Sequence, residues 1–183
     1  KDINELTIHS ISKFFSSFCL GMYQPLTMLS FTIEYYFFKS DPSIFHATNL
    51  FFHLINVSLV FIFIRKLTAN NLSAFIVSLF FGIHPLHVES VAWISERKDV
   101  LYTFFYLLGL ISYIQYLKVK KSRFWILTII LFILSLFSKS AAVTFPLVIL
   151  LLHFYHQKEA FNFKNTLLKI WPFFILSVFF GLL

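Results

Sequence analysis

Residues Phe45–Ile64 read FHATNLFFHLINVSLVFIFI, 20 residues without a single Asp, Glu, Lys or Arg. A helix rises about 1.5 Å per residue, so about 20 mainly apolar residues cross the hydrocarbon core of a bilayer. Asp41-Pro42-Ser43, a strong helix start signal, stands just before the run, and Arg65-Lys66 follows it. Five further apolar cores come after it: Leu72–Ile83, Val100–Leu117, Phe124–Phe137, Ala141–Tyr155 and Leu167–Leu183. The Leu72, Phe124 and Ala141 cores are short for a span. They serve if flanking polar residues are drawn in, or if neighbouring helices shelter them.

Composition agrees. Hydrophobic residues make up 58% and charged residues 13%, against about 45–50% and about 25% in soluble domains. A soluble fold of 183 residues has too little interior to hide that much apolar surface. The expected fold class is an all-α integral membrane protein of about six spans. Residues 1–44 are expected to form outward-facing interfacial helices, and residues 45–183 the bundle.

Within that first segment, Ile3, Leu6, Ile8, Ile11, Phe14, Phe15 and Phe18 recur at helical spacing among Ser, Lys and Glu. The pattern predicts an amphipathic helix over Ile3–Phe18 at the membrane interface. Tyr23-Gln24-Pro25-Leu26-Thr27 breaks the chain. Leu26–Phe38 is a second apolar stretch with Glu34 inside it. The first residues lack a signal peptide and the last lie within an apolar run, so both ends read as cut from a longer protein.

Charge fixes an orientation. Arg65, Lys66, Lys118, Lys120, Lys121, Arg123, Lys158, Lys164 and Lys169 share one side with a single acid, Glu159. The other side holds Lys1, Lys13, Lys39, Arg97, Lys98 and Lys139 with the seven remaining acids. The positive-inside rule assigns the first side to the cytoplasm. The net charge of +7 is therefore a topology signal, and no nucleic-acid partner is expected. One cysteine, Cys19, excludes an intrachain disulfide framework. With four glycines and no fingerprint, nucleotide loops are excluded, and no serine elbow is present.

Chemistry concentrates on the outward side. Glu96-Arg97-Lys98-Asp99 places four charges directly before a span. Arg97 and Lys98 suit a phosphate; the alternative is a cap whose charges pair among the headgroups. His84-Pro85-Leu86-His87-Val88-Glu89 holds two imidazoles and a carboxylate, types that bind zinc, but its spacing is not a helical zinc motif. Lys139 either snorkels to the interface or faces an anionic ligand. His46, Asn49, His53 and Asn56 share one helix face. They read as hydrogen-bonding glue between helices, with His46 and Asn49 near enough to the loops to line a pocket. Glu34 reads as an interface residue or a catalytic group.

In order, Tyr23-Gln24-Pro25-Leu26-Thr27, the His46/Asn49/His53/Asn56 stripe, His84-Pro85-Leu86-His87-Val88-Glu89-Ser90-Val91-Ala92-Trp93, Glu96-Arg97-Lys98-Asp99-Val100-Leu101 and Ser138-Lys139 with Val143-Thr144-x-Pro146 form a pattern. The pattern resembles the membrane part of the transmembrane and tetratricopeptide-repeat family, in a bacterial version. That family includes O-mannosyltransferases. The resemblance runs from about Asp2 to the end. It implies a GT-C fold, a polyprenyl-phosphate sugar donor, a protein Ser or Thr or another hydroxyl acceptor, and an active periplasmic face of a bacterial inner membrane. The family's acidic pair would precede Lys1, and its repeats would follow the chain, so this piece alone is expected to be inactive. On this reading Lys139 and Arg97, with Lys98, hold the lipid phosphate. His84, His87, Glu89 and His46 shape the sugar or acceptor pocket. No metal ligand is assigned, and a need for a divalent cation stays open. A membrane scaffold and a transporter are the rival readings.

Overall fold

A computed structural model describes residues 7–18, 21–156 and 162–182. Lys1, Asp2, Glu5, Cys19, Lys158 and Glu159, and the first part of the Ile3–Phe18 expectation, lie outside them. The described residues form helices joined by short turns.

Local chemistry sets most boundaries. Helix α1, Ile8–Ser16, starts at Thr7, whose hydroxyl accepts from the Ser10 amide at 3.2 Å. Helix α2, Pro25–Phe38, opens on Pro25, which has no amide hydrogen to leave unsatisfied. Helix α3, Pro42–Thr68, is capped by the Asp41 carboxylate on the Ser43 amide at 3.0 Å. It ends at Ala69, whose φ of 57° is left-handed and whose amide donates to the Arg65 carbonyl at 2.9 Å. Asn70 caps helix α4, Asn71–Ile83, through the Ser73 amide at 3.0 Å.

After α4 the chain turns through 60° at His84-Pro85 into helix α5, Leu86–Ala92. A 3-10 turn, Ile94–Glu96, leads into helix α6, Arg97–Val119. Helix α7 is Ser122–Ser138, and a second 3-10 turn, Ser140–Thr144, precedes helix α8, Phe145–His156. Helix α9 is Phe163–Gly181.

Each expected span core overlaps a helix, but the lengths differ from expectation. Pro42–Thr68, Ile94–Val119 and Phe163–Gly181 are each long and apolar enough to cross a membrane, and α4 with α5 makes a fourth if taken as one broken span. Ser122–Ser138 and Ser140–His156 are shorter apolar helices. The polar turns at Ser138-Lys139-Ser140 and His84-Pro85 cut these helices short of full thickness.

Helix α6 is the central pillar, packed against α7 on one side and α3 on another. The rings of Phe132 and Phe145 stack at 4.8 Å, and Phe173 joins them at 5.9 Å. Gly109 on α6 makes room for this stack: a Cβ there would lie 3.0 Å from Phe145 Cζ. Deeper in the bundle, the Tyr113 hydroxyl meets His153 Nδ1 at 2.9 Å. Leu72, Phe75, Ile76, Leu79 and Phe80 of α4 are exposed, as a lipid-facing surface requires.

The two ends differ in charge. At one end Lys66 Nζ donates to Gln115 Oε1 at 3.4 Å, and Lys118 Nζ to the Lys66 carbonyl at 3.4 Å. Burial, and then the charge of Lys169, push the nearby Lys120 ammonium below its ordinary range. The other end gathers Glu34, Arg97, Asp99 and Lys139. There α2 docks on the bundle, with the Thr27 hydroxyl donating to the Ser138 carbonyl at 3.1 Å.

Candidate functional site

Asn49, His53 and Asn56 recur along the inner face of α3, and all three are buried. Each bonds the backbone of another element. Asn49 Nδ2 donates to the Trp93 carbonyl at 3.0 Å, His53 Nε2 meets the Gly82 carbonyl at 3.1 Å, and Asn56 Nδ2 donates to the Val100 carbonyl at 2.8 Å. In a medium without water these bonds replace those solvent would make. His46, at the start of the stripe, is exposed and joins none of this.

Arg97 is the first residue of α6, and its side chain is 1% exposed. One terminal nitrogen donates to Glu34 Oε2 at 2.9 Å and to the Phe45 carbonyl at 3.0 Å. Its Nε donates to Asn49 Oδ1 in a short bond. The guanidinium also lies 5.0 Å from the centroid of the Phe31 ring. Arg97 thus joins α2, α3 and α6 from inside. The expectation that it meets a lipid phosphate needs correction here: the group is enclosed and held by a carboxylate. Removing a guanidinium from such partners leaves a buried anion without compensation. Glu34, which read as an interface residue or a catalytic group, is that anion; it is buried and its Oε1 has no partner.

Two residues further on, the opposite side of α6 presents Asp99. Lys139 Nζ makes a short ion pair with Asp99 Oδ1, and Ser90 Oγ donates to Asp99 Oδ2 at 3.4 Å. Lys139 and Asp99 are 30% and 25% exposed, so this pair is open where Arg97–Glu34 is closed. Lys139 also lies 5.8 Å from the Tyr102 ring centroid. Of the expected phosphate ligands, Lys139 is the one facing a cleft. That cleft is about 120 Å³ and is bounded by His53, Asn56, His87, Ser90, Asp99 and Lys139 among others. Lys98 is paired instead with Glu96 at 3.1 Å.

The histidine motif is divided by its own turn. His87 packs its ring 4.4 Å from Phe81 and 5.7 Å from His53, on the cleft. His84 is exposed, and its Nδ1 accepts from the Leu86 amide at 3.2 Å, closing the α4–α5 bend. Glu89 is exposed on α5. Among the described residues no three His, Cys, Asp or Glu side chains come together as a metal set. Asp99, Ser90, Tyr102 and Thr103 were absent from the expected pocket. Asp99 carried a signal, being an acid at the first turn of a span, but its run of charges concealed which neighbour it serves.

Together these features define a helical integral membrane protein that gathers the closed Arg97–Glu34 pair and the open Lys139–Asp99 pair at the same end. The chain is similar to protein O-mannosyl-transferase TMTC3 of Homo sapiens, 33% identical over 125 residues, which is 67% of this chain and 14% of the relative. It is similar to TMTC1 of Mus musculus, 37% identical over 92 residues, 50% of this chain and 10% of the relative. It also resembles Tmtc2 of Drosophila melanogaster, 32% identical over 135 residues, 70% of this chain and 14% of the relative. The chain therefore spans between about a tenth and a seventh of the length of the curated relatives it matches. No protein-family model matches it, and no solved structure does.

Proposed function

We propose that this chain is part of the membrane domain of a GT-C glycosyltransferase that takes a sugar from a polyprenyl-phosphate donor and passes it to a protein hydroxyl. The observation that carries the reading is Lys139, a half-open cation at the polar end of an apolar bundle, beside a cleft. In the transfer, the acceptor hydroxyl oxygen bonds to the anomeric carbon while the bond from that carbon to the phosphate oxygen breaks. The phosphate leaves with the electron pair, and the hydroxyl proton passes to a base. Lys139 stabilises the departing phosphate, since a fixed cation where charge develops lowers the barrier. Asp99 holds the ammonium in place until the anion arrives.

The similarity to named O-mannosyl-transferases supports mannose as the sugar and protein Ser or Thr as the acceptor. An apolar groove of about 500 Å³ between α1, α7 and α9 includes Phe15, Tyr23, Phe137 and Phe180. It comes within two residues of Lys139 in the sequence and suits a prenyl tail. The charge asymmetry supports a polar end facing the periplasm of a bacterial inner membrane. Polar groups concentrated at that end support an interfacial enzyme over a transporter, whose path would cross mid-bilayer.

The test uses the full-length protein in lipid, with polyprenyl-phosphate mannose and a Ser/Thr acceptor. Lys139→Ala is expected to lower kcat at least about tenfold, a loss of about 1.4 kcal/mol in the transition state. Transfer at the normal rate in that variant sinks the role of Lys139. No transfer by the wild type with any polyprenyl-phosphate sugar sinks the reading itself.

A further inference from the structure

We infer that the basic end of the bundle binds the phosphate of an anionic phospholipid between Lys120 and Lys169, with the acyl chain laid along the exposed face of α9. The inference is independent of the transferase reading and concerns the end opposite Lys139.

Charge at this end is uncompensated. Cations reach it from α3, from the turn between α6 and α7, and from α9. In the sequence that side has one acid, Glu159. Among the described residues every acid, Glu34, Asp41, Glu89, Glu96 and Asp99, belongs to the other end, and so do the ion pairs of Arg97, Lys98 and Lys139. The cations here settle on neutral groups instead. Lys66 and Lys118 donate to an amide and a carbonyl oxygen, each at 3.4 Å. Arg123 lies 4.8 Å from the Phe124 ring centroid, and Lys120 lies 5.9 Å from that of Tyr116. Fixed cations without counterions attract an anion to the surface.

Lys120 and Lys169 mark where the anion sits. Lys120 ends α6 in the left-handed region, and its amide donates to the Tyr116 carbonyl at 2.8 Å. That tight turn leaves its side chain exposed at the edge of the bundle, and Lys169 is exposed on α9. After burial, it is the charge of Lys169 that holds the Lys120 ammonium below its ordinary range. Two ammoniums from different helices therefore share one space. A phosphate offers an oxygen to each.

The face of α9 shows that the anion carries a chain. Lys164, Leu168, Trp171 and Ile175 recur at helical spacing and share one face. Leu168, Trp171 and Ile175 are 63%, 54% and 55% exposed. From the basic end inward this face presents a cation, then an indole, then aliphatic surface. That is the order of headgroup, interface and hydrocarbon in one leaflet. A soluble anion or an acidic peptide makes no use of such a stripe. A basic site at the end of a helix bundle, open to lipid, suits a phospholipid headgroup.

The test places the full-length protein in nanodiscs of phosphatidylcholine with a trace of phosphatidylglycerol or phosphatidylcholine that carries a diazirine in its acyl chain. Illumination is followed by peptide mass spectrometry. The phosphatidylglycerol probe is expected to label α9 at least about fivefold more than the phosphatidylcholine probe. The double variant Lys120→Gln with Lys169→Gln is expected to lose that preference. Lys120→Arg with Lys169→Arg is expected to keep it, as is Lys39→Gln at the other end. Equal labelling by the two probes, or a preference that survives the double Gln variant, overturns the inference. Two competitors, compared with chloride at matched ionic strength, test the source of the anion. If 10 mM inorganic phosphate removes the preference, the site takes a soluble anion; if a decaglutamate peptide does so, it takes an acidic polypeptide. Either result overturns the lipid assignment.

Discussion

Arg97 and Lys139 are both cations at one end of an apolar bundle, and their surroundings give them opposite work. Arg97 is enclosed with Glu34, Asn49 and the Phe45 carbonyl, so its loss is a stability event. Arg97→Ala is expected to destabilise the protein by about 3–5 kcal/mol, because Glu34 stays behind unpaired. The double variant Arg97→Met with Glu34→Leu is expected to recover most of that loss. Thermal unfolding of the wild type, Arg97→Met, Glu34→Leu and the double variant in one detergent measures the coupling. Equal stability of Arg97→Ala and wild type would show that the enclosed pair does not tie the helices together. The partner of Arg97 was not legible in the sequence, since Glu34 lies 63 residues away and only the packing of α2 on α3 and α6 brings them together. The stripe Asn49, His53 and Asn56 was legible, because a 3.6-residue period alone places them on one face. His46 fits the same period yet is exposed, since it sits at the helix start, where the packed face has ended.

Among the elements, α3 and α6 show how local signals and packing divide the labour. Asp41 caps α3 as its sequence predicts, and Asp41→Ala is expected to cost about 0.5–2 kcal/mol, read as a lower melting temperature. Gly109 carries no such local signal. In a helix it is a poor residue by about 1 kcal/mol against Ala, and its value emerges only where Phe145 closes on α6. Gly109→Leu is expected to destabilise by about 1–3 kcal/mol through overpacking. An unchanged melting temperature would mean that the Phe132–Phe145 stack yields easily. The short helices α4, α7 and α8 were visible as apolar runs, but their ends were not. Pro85 and the Ser138-Lys139-Ser140 turn halt them before a full thickness is crossed, and no rule of composition says which polar residues a membrane will tolerate.

At the scale of the whole molecule, the described basic residues of one end face a mixed-charge end across the bundle. Single cysteines at Ser95 and Ser122, in a chain whose Cys19 is replaced by Ser, report this directly. Ser95 is expected to react with a membrane-impermeant maleimide in intact cells, and Ser122 only after lysis. The reverse pattern would invert the assigned orientation. The bundle's overall class was plain from composition, while the number of full spans was not, because that number depends on how α4 and α5 meet.

That meeting has a physical consequence for the surrounding lipid. Helix α4 has 13 residues, so it covers about 20 Å of a hydrocarbon layer about 30 Å deep. Lipids along its exposed flank must compress or tilt to match it. Such a dimple draws the water boundary inward beside His87 and the Asp99–Lys139 pair, so that under the proposed transferase role a hydrophilic substrate would reach them without entering oil.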